Sequence, residues 1–474
     1  MTRVVVVGGG IAGLAAAYAI SRDAPRGTRV TVVDAAARLG GKLRVSPVGG
    51  VLVDEGAETF LARVPEGVEL ARAVGLGDEL VHPVTTKASV VVDGTVAPLP
   101  AGTVLGVPGD RAALRRSGLL TEEGLAAVAA DRDEPAPLGD PSVGEYVRRR
   151  LGPEVVERLV DPLLGGVYSG RADGLSLRAT MPQLVAALEA RGGGRLVAAA
   201  RSVMDGAPAD AGPVFASLDG GLGLLPEAVA RASGADVRLR LPVRRVERTT
   251  SGFRVVGGPV PDPVTIAADA VVVAAPAPKA AGLLAPLTPW AAHELAAMEY
   301  ASIGIVTLAY PAAALAGLRG SGLLVAGSTG RPVKAVTYSS VKWAHLAGGE
   351  VAVLRASVGR HQEARVLQRD DADLVRLVVG QVAALTGVRA APVSARVTRW
   401  GGALPQYAPG HLERVRRIRA DVARVPGLAV CGAAFDGVGV PACVRSGTAA
   451  AAQVLAYLRD WTGGGRSGGR QARA

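Results

Sequence analysis

The sequence is poor in the residues that most often signal disulfide, metal or nucleic-acid chemistry. It has two cysteines, Cys431 and Cys443, both near the C-terminus. They make neither a disulfide framework nor a zinc spacing, and a reducing, cytoplasmic setting is the natural expectation. The five histidines, His82, His293, His345, His361 and His411, are scattered and form no ligand pair, so no metal site is expected. Aromatic residues are only 3% of the chain, and no basic run has aromatics interleaved. That argues against nucleic acid as a partner. Although 49% of the residues are hydrophobic, no run approaches the ~20 apolar residues of a membrane-spanning helix. The chain enters an apolar strand at Arg3-Val4, so no signal peptide is expected.

Lysine is scarce too. Five of the 53 basic residues are lysine, against 42 acidic residues and a net charge of +11. Arginine in place of lysine, with so much alanine and glycine, is what GC-rich coding produces. Coding bias does not explain the positive sign, which leaves an anionic substrate or an acidic membrane surface open. At 474 residues the chain should form two or three domains with ample core.

What is present is a matched pair of glycine-rich turns. The first is Val4-Val5-Val6-Val7-Gly8-Gly9-Gly10-Ile11-Ala12-Gly13, and the second is Leu428-Ala429-Val430-Cys431-Gly432 followed by Gly437-Val438-Gly439-Val440-Pro441. In the first, Gly8, Gly10 and Gly13 fit G-x-G-x-x-G between a buried strand and a helix. Gly8 allows the tight turn, Gly10 lets backbone approach a pyrophosphate, and Gly13 lets helix and strand pack closely. The helix N-terminus offers unpaired N–H groups and a positive dipole end to phosphate. A second strand, Val30 to Val33, ends at Asp34, placed to accept from ribose hydroxyls. Gly8 to Asp34 is 26 residues, a little over the usual ~20, and the polar stretch from Ser21 to Arg29 accounts for the excess.

Coarse patterning gives a helix over 66–82 and a hairpin of 88–92 with 96–99 across Asp93-Gly94. Leucine and valine at three- and four-residue spacing make 103–205 helical. Strands return at 237–241, 243–247, 253–256, 264–266 and 269–274. The block 295–400 alternates β-rich runs (303–310, 333–338, 351–357) with a helix at about 371–386.

Other segments carry a family resemblance. Arg38-Leu39-Gly40-Gly41-Lys42 and Asp54-Glu55-Gly56-Ala57-Glu58-Thr59-Phe60 resemble segments of the FAD-dependent amine oxidase and protoporphyrinogen oxidase superfamily. Asp161-Pro162-Leu163-Leu164-Gly165-Gly166-Val167-Tyr168-Ser169-Gly170, Phe215 to Leu222, Ser340-Val341-Lys342-Trp343, Leu354 to Arg360, and Trp400 to Tyr407 with Gly410-His411 resemble protoporphyrinogen/coproporphyrinogen oxidase across essentially the whole chain. The resemblance implies α/β and α+β architecture. A discontinuous Rossmann-like FAD-binding domain would take 1–65, 214–280 and 426–461. A β-sheet-floored substrate domain would take 66–102 and 281–425, with a helical insertion at 103–205 and a disordered tail at 462–474.

The resemblance implies FAD contacts at Gly8, Gly9, Gly10, Ile11, Ala12 and Gly13 around the phosphates, and at Asp34 and Ala35 by the ribose. The family more often has Glu at the ribose position. Lys42 follows the Gly-Gly pair. Gly56, Ala57, Glu58 and Thr59 form a flavin-adjacent turn, the backbone of Val243 holds adenine, and Trp400 flanks the flavin approach. Val438, Gly439 and Val440 lie under the isoalloxazine. On the substrate side, Arg63 is placed to pair with a carboxylate, Lys87 is a weaker candidate, and Gly166 lines the cavity. Leu323 and Val325 supply apolar walls or ordinary core.

The implied reaction is six-electron oxidation of a porphyrinogen by O2 in heme biosynthesis, with hydrogen peroxide as by-product. The flavin carries the chemistry, so no side-chain acid or base is assigned. The likeness to Gram-positive and actinobacterial forms, with the positive charge, favours coproporphyrinogen III and its four carboxylates over protoporphyrinogen IX. A ferrochelatase would act downstream. Peripheral membrane contact and oligomeric state stay open. The alternatives are a different FAD oxidase acting on amines or polyenes, for which the aromatic cage residues are few, and a non-catalytic scaffold.

Overall fold

The computed structural model describes residues 1–206 and 212–464. The strand Arg3–Val7 lies at the centre of a five-stranded parallel sheet. It pairs with Arg29–Val33 on one side and Ala270–Val273 on the other. Asp236–Arg238 and Leu428–Val430 form the two edges. Val4, Val5 and Val6 are at most 1% exposed, as expected where helices cover both faces of a parallel sheet and strands become continuous apolar runs.

The sheet gathers segments from both ends and the middle of the chain, and two helices tie them together. Ile11–Asp23 follows the first strand, and Val440–Gly464 follows the last. They pack along one another, and Gly447 sits at the crossing, where an added Cβ would stand 2.1 Å from the Ala12 carbonyl oxygen. The last helix runs into the tail expected from Thr462, and the rest of that tail lies outside the described residues. Beside the sheet, Val243–Thr249, Gly252–Gly257 and Val264–Ala268 form an antiparallel three-stranded layer.

A second, seven-stranded sheet runs in the order Ser394–Pro405, Tyr300–Pro311, Val351–Val358, Val333–Thr337, Gly322–Val325, Ala88–Val92, Thr95–Pro98. The hairpin at Asp93-Gly94 has both central residues at positive φ, 49° and 77°, the turn whose twist matches its strands. The helix Asp371–Thr386 packs on one face. It is capped by Asp370, whose carboxylate accepts from the Asp373 N–H at 2.8 Å, and is ended by Gly387 at φ 77°. The other face meets the helical block, whose core includes Leu151, Leu159, Leu164 and Leu177. Inside that block, buried Arg150 pairs with Asp131 at 3.0 Å and donates to the carbonyls of Arg132 and Gly194. A buried charge is tolerated only when paired and hydrogen-bonded in this way.

The helix expected over 66–82 is shorter. It spans Pro65–Ala73 and stops where Gly75 takes φ 83°, and Leu80–Val81 then joins Phe215–Leu218 as a strand. Among the described residues, no helix is long and apolar enough to cross a membrane.

Candidate functional site

The first glycine turn is built as its spacing requires. Gly8 has φ 116°, and a Cβ there would lie 2.7 Å from the Ala274 carbonyl oxygen. A Cβ on Gly13 would lie 2.0 Å from the Gly8 carbonyl oxygen. A Cβ on Gly10 would meet nothing within 4 Å. Two of the three glycines therefore close the turn, and the third opens it. Gly10 precedes the helix Ile11–Asp23 without a side-chain cap, leaving the first-turn N–H groups for an anion.

Asp34 sits at the end of the second strand. Its carboxylate accepts from the Gly9 N–H at 2.6 Å and the Ala36 N–H at 2.7 Å, so it links the glycine turn to the end of the second strand; Ala35 beside it is exposed. The segment leading to Val243 runs alongside. Leu241 N–H donates to the Asp34 carbonyl at 2.9 Å, and Arg240 N–H to that of Ala36 at 2.8 Å. Val243 is half-buried and begins the antiparallel layer with an irregular register. The loop of Gly40 and Gly41 closes on the turn from the other side, with the Gly40 N–H donating to the Gly9 carbonyl at 2.8 Å.

Lys42 and Gly56 touch through backbone. A Cβ on Gly56 would stand 2.1 Å from the Lys42 carbonyl oxygen and 3.5 Å from the Trp400 ring. The Trp400 indole donates to the Glu55 carbonyl at 2.8 Å, so one edge of the ring is fixed. Burial lowers the Lys42 ammonium from its ordinary value, with Cys443 of the last helix nearby. Ala57 and Thr59 are half-buried. Glu58 also ties this turn to residues far along the chain. Its carboxylate accepts from Lys342 at 2.8 Å, Trp343 at 3.2 Å and Ser339 at 3.3 Å, and from Arg355, which also donates to the Gly56 carbonyl. Burial alone would raise this carboxyl, but Lys342 and Arg355 hold it well below the usual range. Glu58 thus fastens the turn to the second sheet.

The second glycine turn arrives beside these groups. Val438 is half-buried against the helical block, Gly439 is exposed, and Val440 opens the last helix. Gly67 lies in contact range of both Phe60 and Pro441, with Cβ distances of 2.9 and 3.2 Å. This sets the chain around Arg63 next to the second turn. Arg63 itself is exposed and donates twice to the Gly212 carbonyl, at 3.2 and 3.0 Å. Lys87 is also exposed.

Gly166 is exposed on the helix Asp161–Tyr168, 3.5 Å from the Leu324 side chain by its Cβ position. Leu323 does not reach it. Leu323 and Val325 are 3% and 2% exposed, and pack with Val91, Val336 and the residues beneath the sheet. Alternation along the strand gives the Gly166 side to Leu324 in place of Leu323.

A further link joins the Gly166 helix to the second glycine turn. Tyr168 ends the Gly166 helix and packs on Tyr407, with ring centroids 5.5 Å apart. The Tyr407 hydroxyl donates to the Ala433 carbonyl, in the segment leading to the second glycine turn. His411 stacks on Tyr407 at 3.9 Å, and burial lowers its imidazole to about 4, so it stays neutral. The Gly-Gly-Val-Tyr and Pro-Gln-Tyr motifs were visible, but not that they meet.

These residues fit FAD. There is an open cradle at Gly10, an uncapped helix N-terminus, and an acid at the end of the second strand. A second glycine turn opens a helix that packs on the first. Residues 11–455 match the family described as flavin containing amine oxidoreductase. The coproporphyrinogen III oxidase of Mycobacterium tuberculosis (strain ATCC 25618 / H37Rv) is 38% identical over 460 residues, covering 96% of this chain and 97% of that protein. The coproporphyrinogen III oxidase of Bacillus subtilis (strain 168) is 32% identical over 477 residues, covering 96% and 98%. A crystal structure from Exiguobacterium sp. 255-15, of a protein provisionally named protoporphyrinogen oxidase, superposes with a TM-score of 0.85 at 32% identity, covering 96% and 99%.

Proposed function

The chain belongs to the flavin containing amine oxidoreductase family, and on that footing we propose that it oxidises coproporphyrinogen III to coproporphyrin III with O2 as acceptor. It is an FAD-dependent oxidoreductase. The observation that carries the substrate reading is the full-length likeness to two enzymes named for that substrate. The contact of Tyr168 with Tyr407, and of Tyr407 with Ala433, supports it by setting the Gly166 helix against the second glycine turn.

Bound FAD supplies two-electron acceptance from carbon and reoxidation by O2 to hydrogen peroxide, repeated three times for each porphyrin. The residues of the chain bind and orient. Gly8 to Gly13 and the helix N-terminus hold phosphate, and Asp34 with Ala35 holds ribose. The backbone at Val243 holds adenine. Lys42, the turn Gly56 to Thr59 and Trp400 shape the flavin side. Val438 to Val440, at the start of the last helix, favour negative charge there. A flat apolar slot must present the macrocycle to the cofactor at near-attack distance, and Gly166 and Leu324 supply part of its wall. Arg63 meets a propionate at the mouth. The product would pass to a ferrochelatase, with the enzyme peripheral at a membrane or free in the cytoplasm.

Aerobic turnover of the yellow protein, with coproporphyrinogen III and protoporphyrinogen IX side by side, tests this. Porphyrin fluorescence and peroxide are followed together. Preference for the four-carboxylate substrate, with about three peroxides per porphyrin, is the expected result. Preference for the two-carboxylate substrate moves the enzyme one step later in heme synthesis. No turnover of either overturns the reading and returns the general FAD oxidase.

A further inference from the structure

The helix Asp161–Tyr168 ends in a turn held from several directions. Ser169 is fully buried and takes φ 55°, a conformation uncommon outside glycine. Its N–H donates to the Gly165 carbonyl at 3.1 Å, and its carbonyl accepts from the His361 N–H at 2.7 Å. Gln406 donates to the Tyr168 carbonyl at 2.9 Å. The remaining tie joins the Ser169 hydroxyl to the side-chain nitrogen of Lys334, on the strand Val333–Thr337 of the second sheet.

Lys334 is the unusual partner. It is 5% exposed, and a register irregularity between Val333 and Ala335 falls at its position. Among the described residues no carboxylate pairs with it. The charge beside it is Arg360, which donates to the carbonyls of Val325 and Arg331. Asp161 and Glu363 lie around Arg360 and are shared with Arg171, and the His361 ring pairs with Glu299. Burial first, then Arg360, bring the Lys334 ammonium down to about 7. A buried lysine without a counter-ion weakens a fold, so stability alone gives no reason for it.

We propose that Lys334 is a positioning residue. Acting through Ser169, it fixes the end of the helix Asp161–Tyr168, and so sets where Gly166 and Tyr168 stand relative to Tyr407 and the second glycine turn. The neutral amine donates this tie without strain, whereas the protonated one, still a donor, is a second buried cation repelled by Arg360, which loosens the tie. Turnover should therefore fall on the acid side of about 7. The kinetic part rests on the porphyrinogen reading; the structural part does not.

The test compares FAD-loaded wild type with Lys334→Met, Lys334→Gln and Ser169→Ala. Turnover of coproporphyrinogen III is followed from pH 6 to 9, with amide hydrogen exchange over residues 161–172. Lys334→Met and Ser169→Ala should raise KM about tenfold, with kcat within about twofold, and both should speed exchange in that segment. Lys334→Gln keeps the hydrogen bond without titrating, so it should keep the wild-type KM and lose the acid limb. Ser169→Ala, which removes the partner through which Lys334 acts, should lose the acid limb as well. Unchanged KM and exchange in Lys334→Met would overturn the proposal. If wild type turns over no porphyrinogen, the substrate reading fails, and exchange alone decides the role of Lys334: faster in Lys334→Met and restored in Lys334→Gln supports it, and no difference overturns it.

Discussion

Gly447 and Ala12 meet where the last helix crosses the first, with room for no side chain: a Cβ on Gly447 would lie 2.1 Å from the Ala12 carbonyl oxygen. The obstacle is backbone, so it cannot swing aside. Gly447→Val should force the helices apart, at a cost of ~1–3 kcal/mol of overpacking, and displace the two glycine turns from each other. The expected outcome is a lower melting temperature and a purified protein largely lacking its yellow colour. A variant with full flavin absorbance would show that the crossing tolerates expansion.

Asp34 joins the first turn to the second strand through the Gly9 and Ala36 N–H groups. Asp34→Ala removes both bonds and the proposed ribose acceptor. Hydrogen bonds to a charged group are worth ~1.5–3 kcal/mol each. FAD should bind at least about tenfold more weakly, as titration of apoprotein by flavin fluorescence quenching would read. Asp34→Glu, the residue more usual in the family, should retain most of the affinity.

Glu58 faces Lys342 and Arg355 in a buried site. Glu58→Gln leaves two cations without a counter-charge, and breaking such a pair costs ~3–5 kcal/mol. The carboxyl is held below its unfolded value, so its contribution is complete above that value, declines as pH falls from there towards the lower folded one, and is gone below it. Denaturant unfolding at pH 7 should therefore show a large difference between wild type and Glu58→Gln, which narrows in strong acid.

Asp54 runs the other way. Burial raises it to about 7, with Arg355 opposing, and its Oδ1 has no hydrogen-bond partner. The folded state holds this proton up to about 7, whereas the unfolded chain releases it near ~3.9. The residue therefore costs stability as pH climbs between those values, and the cost is full above 7. Asp54→Asn should be more stable than wild type at pH 8, by ~1 kcal/mol or more, and close to it at pH 4. Thermal melts at the two pH values give the comparison.

Much of this was legible from local pattern. The Gly8, Gly10 and Gly13 spacing announced its turn, because Gly8 and Gly13 admit no side chain and Gly10 leaves open space between them. The helix Asp371–Thr386 was readable from its period, between Asp370 at one end and Gly387 at the other. What stayed hidden depends on parity and on distant partners. Leu323 and Leu324 are both leucines, and only pairing with Val336 and Ala335 decides which of them meets Gly166. The ties of Glu58 to the second sheet had no local signal, since its partners lie more than 280 residues away. Lys334 has no motif, and its meaning comes from Ser169, 165 residues earlier. The helix expected over 66–82 stops short because Gly75 takes a positive φ, which the period of its apolar residues does not show.

The five-stranded sheet takes its central strand from residues 3–7 and an edge from residues 428–430. During synthesis, the first glycine turn emerges long before the segments that complete its pocket. Until the final helix leaves the ribosome, residues 11–23 have an apolar flank with nothing to cover it. The nascent chain is thus committed to a delay in which the second sheet and helical block can form but the cofactor has no finished place to bind. With FAD held between the two turns as proposed, its capture waits for the whole chain, and a truncation of the last helix would be expected to yield colourless protein.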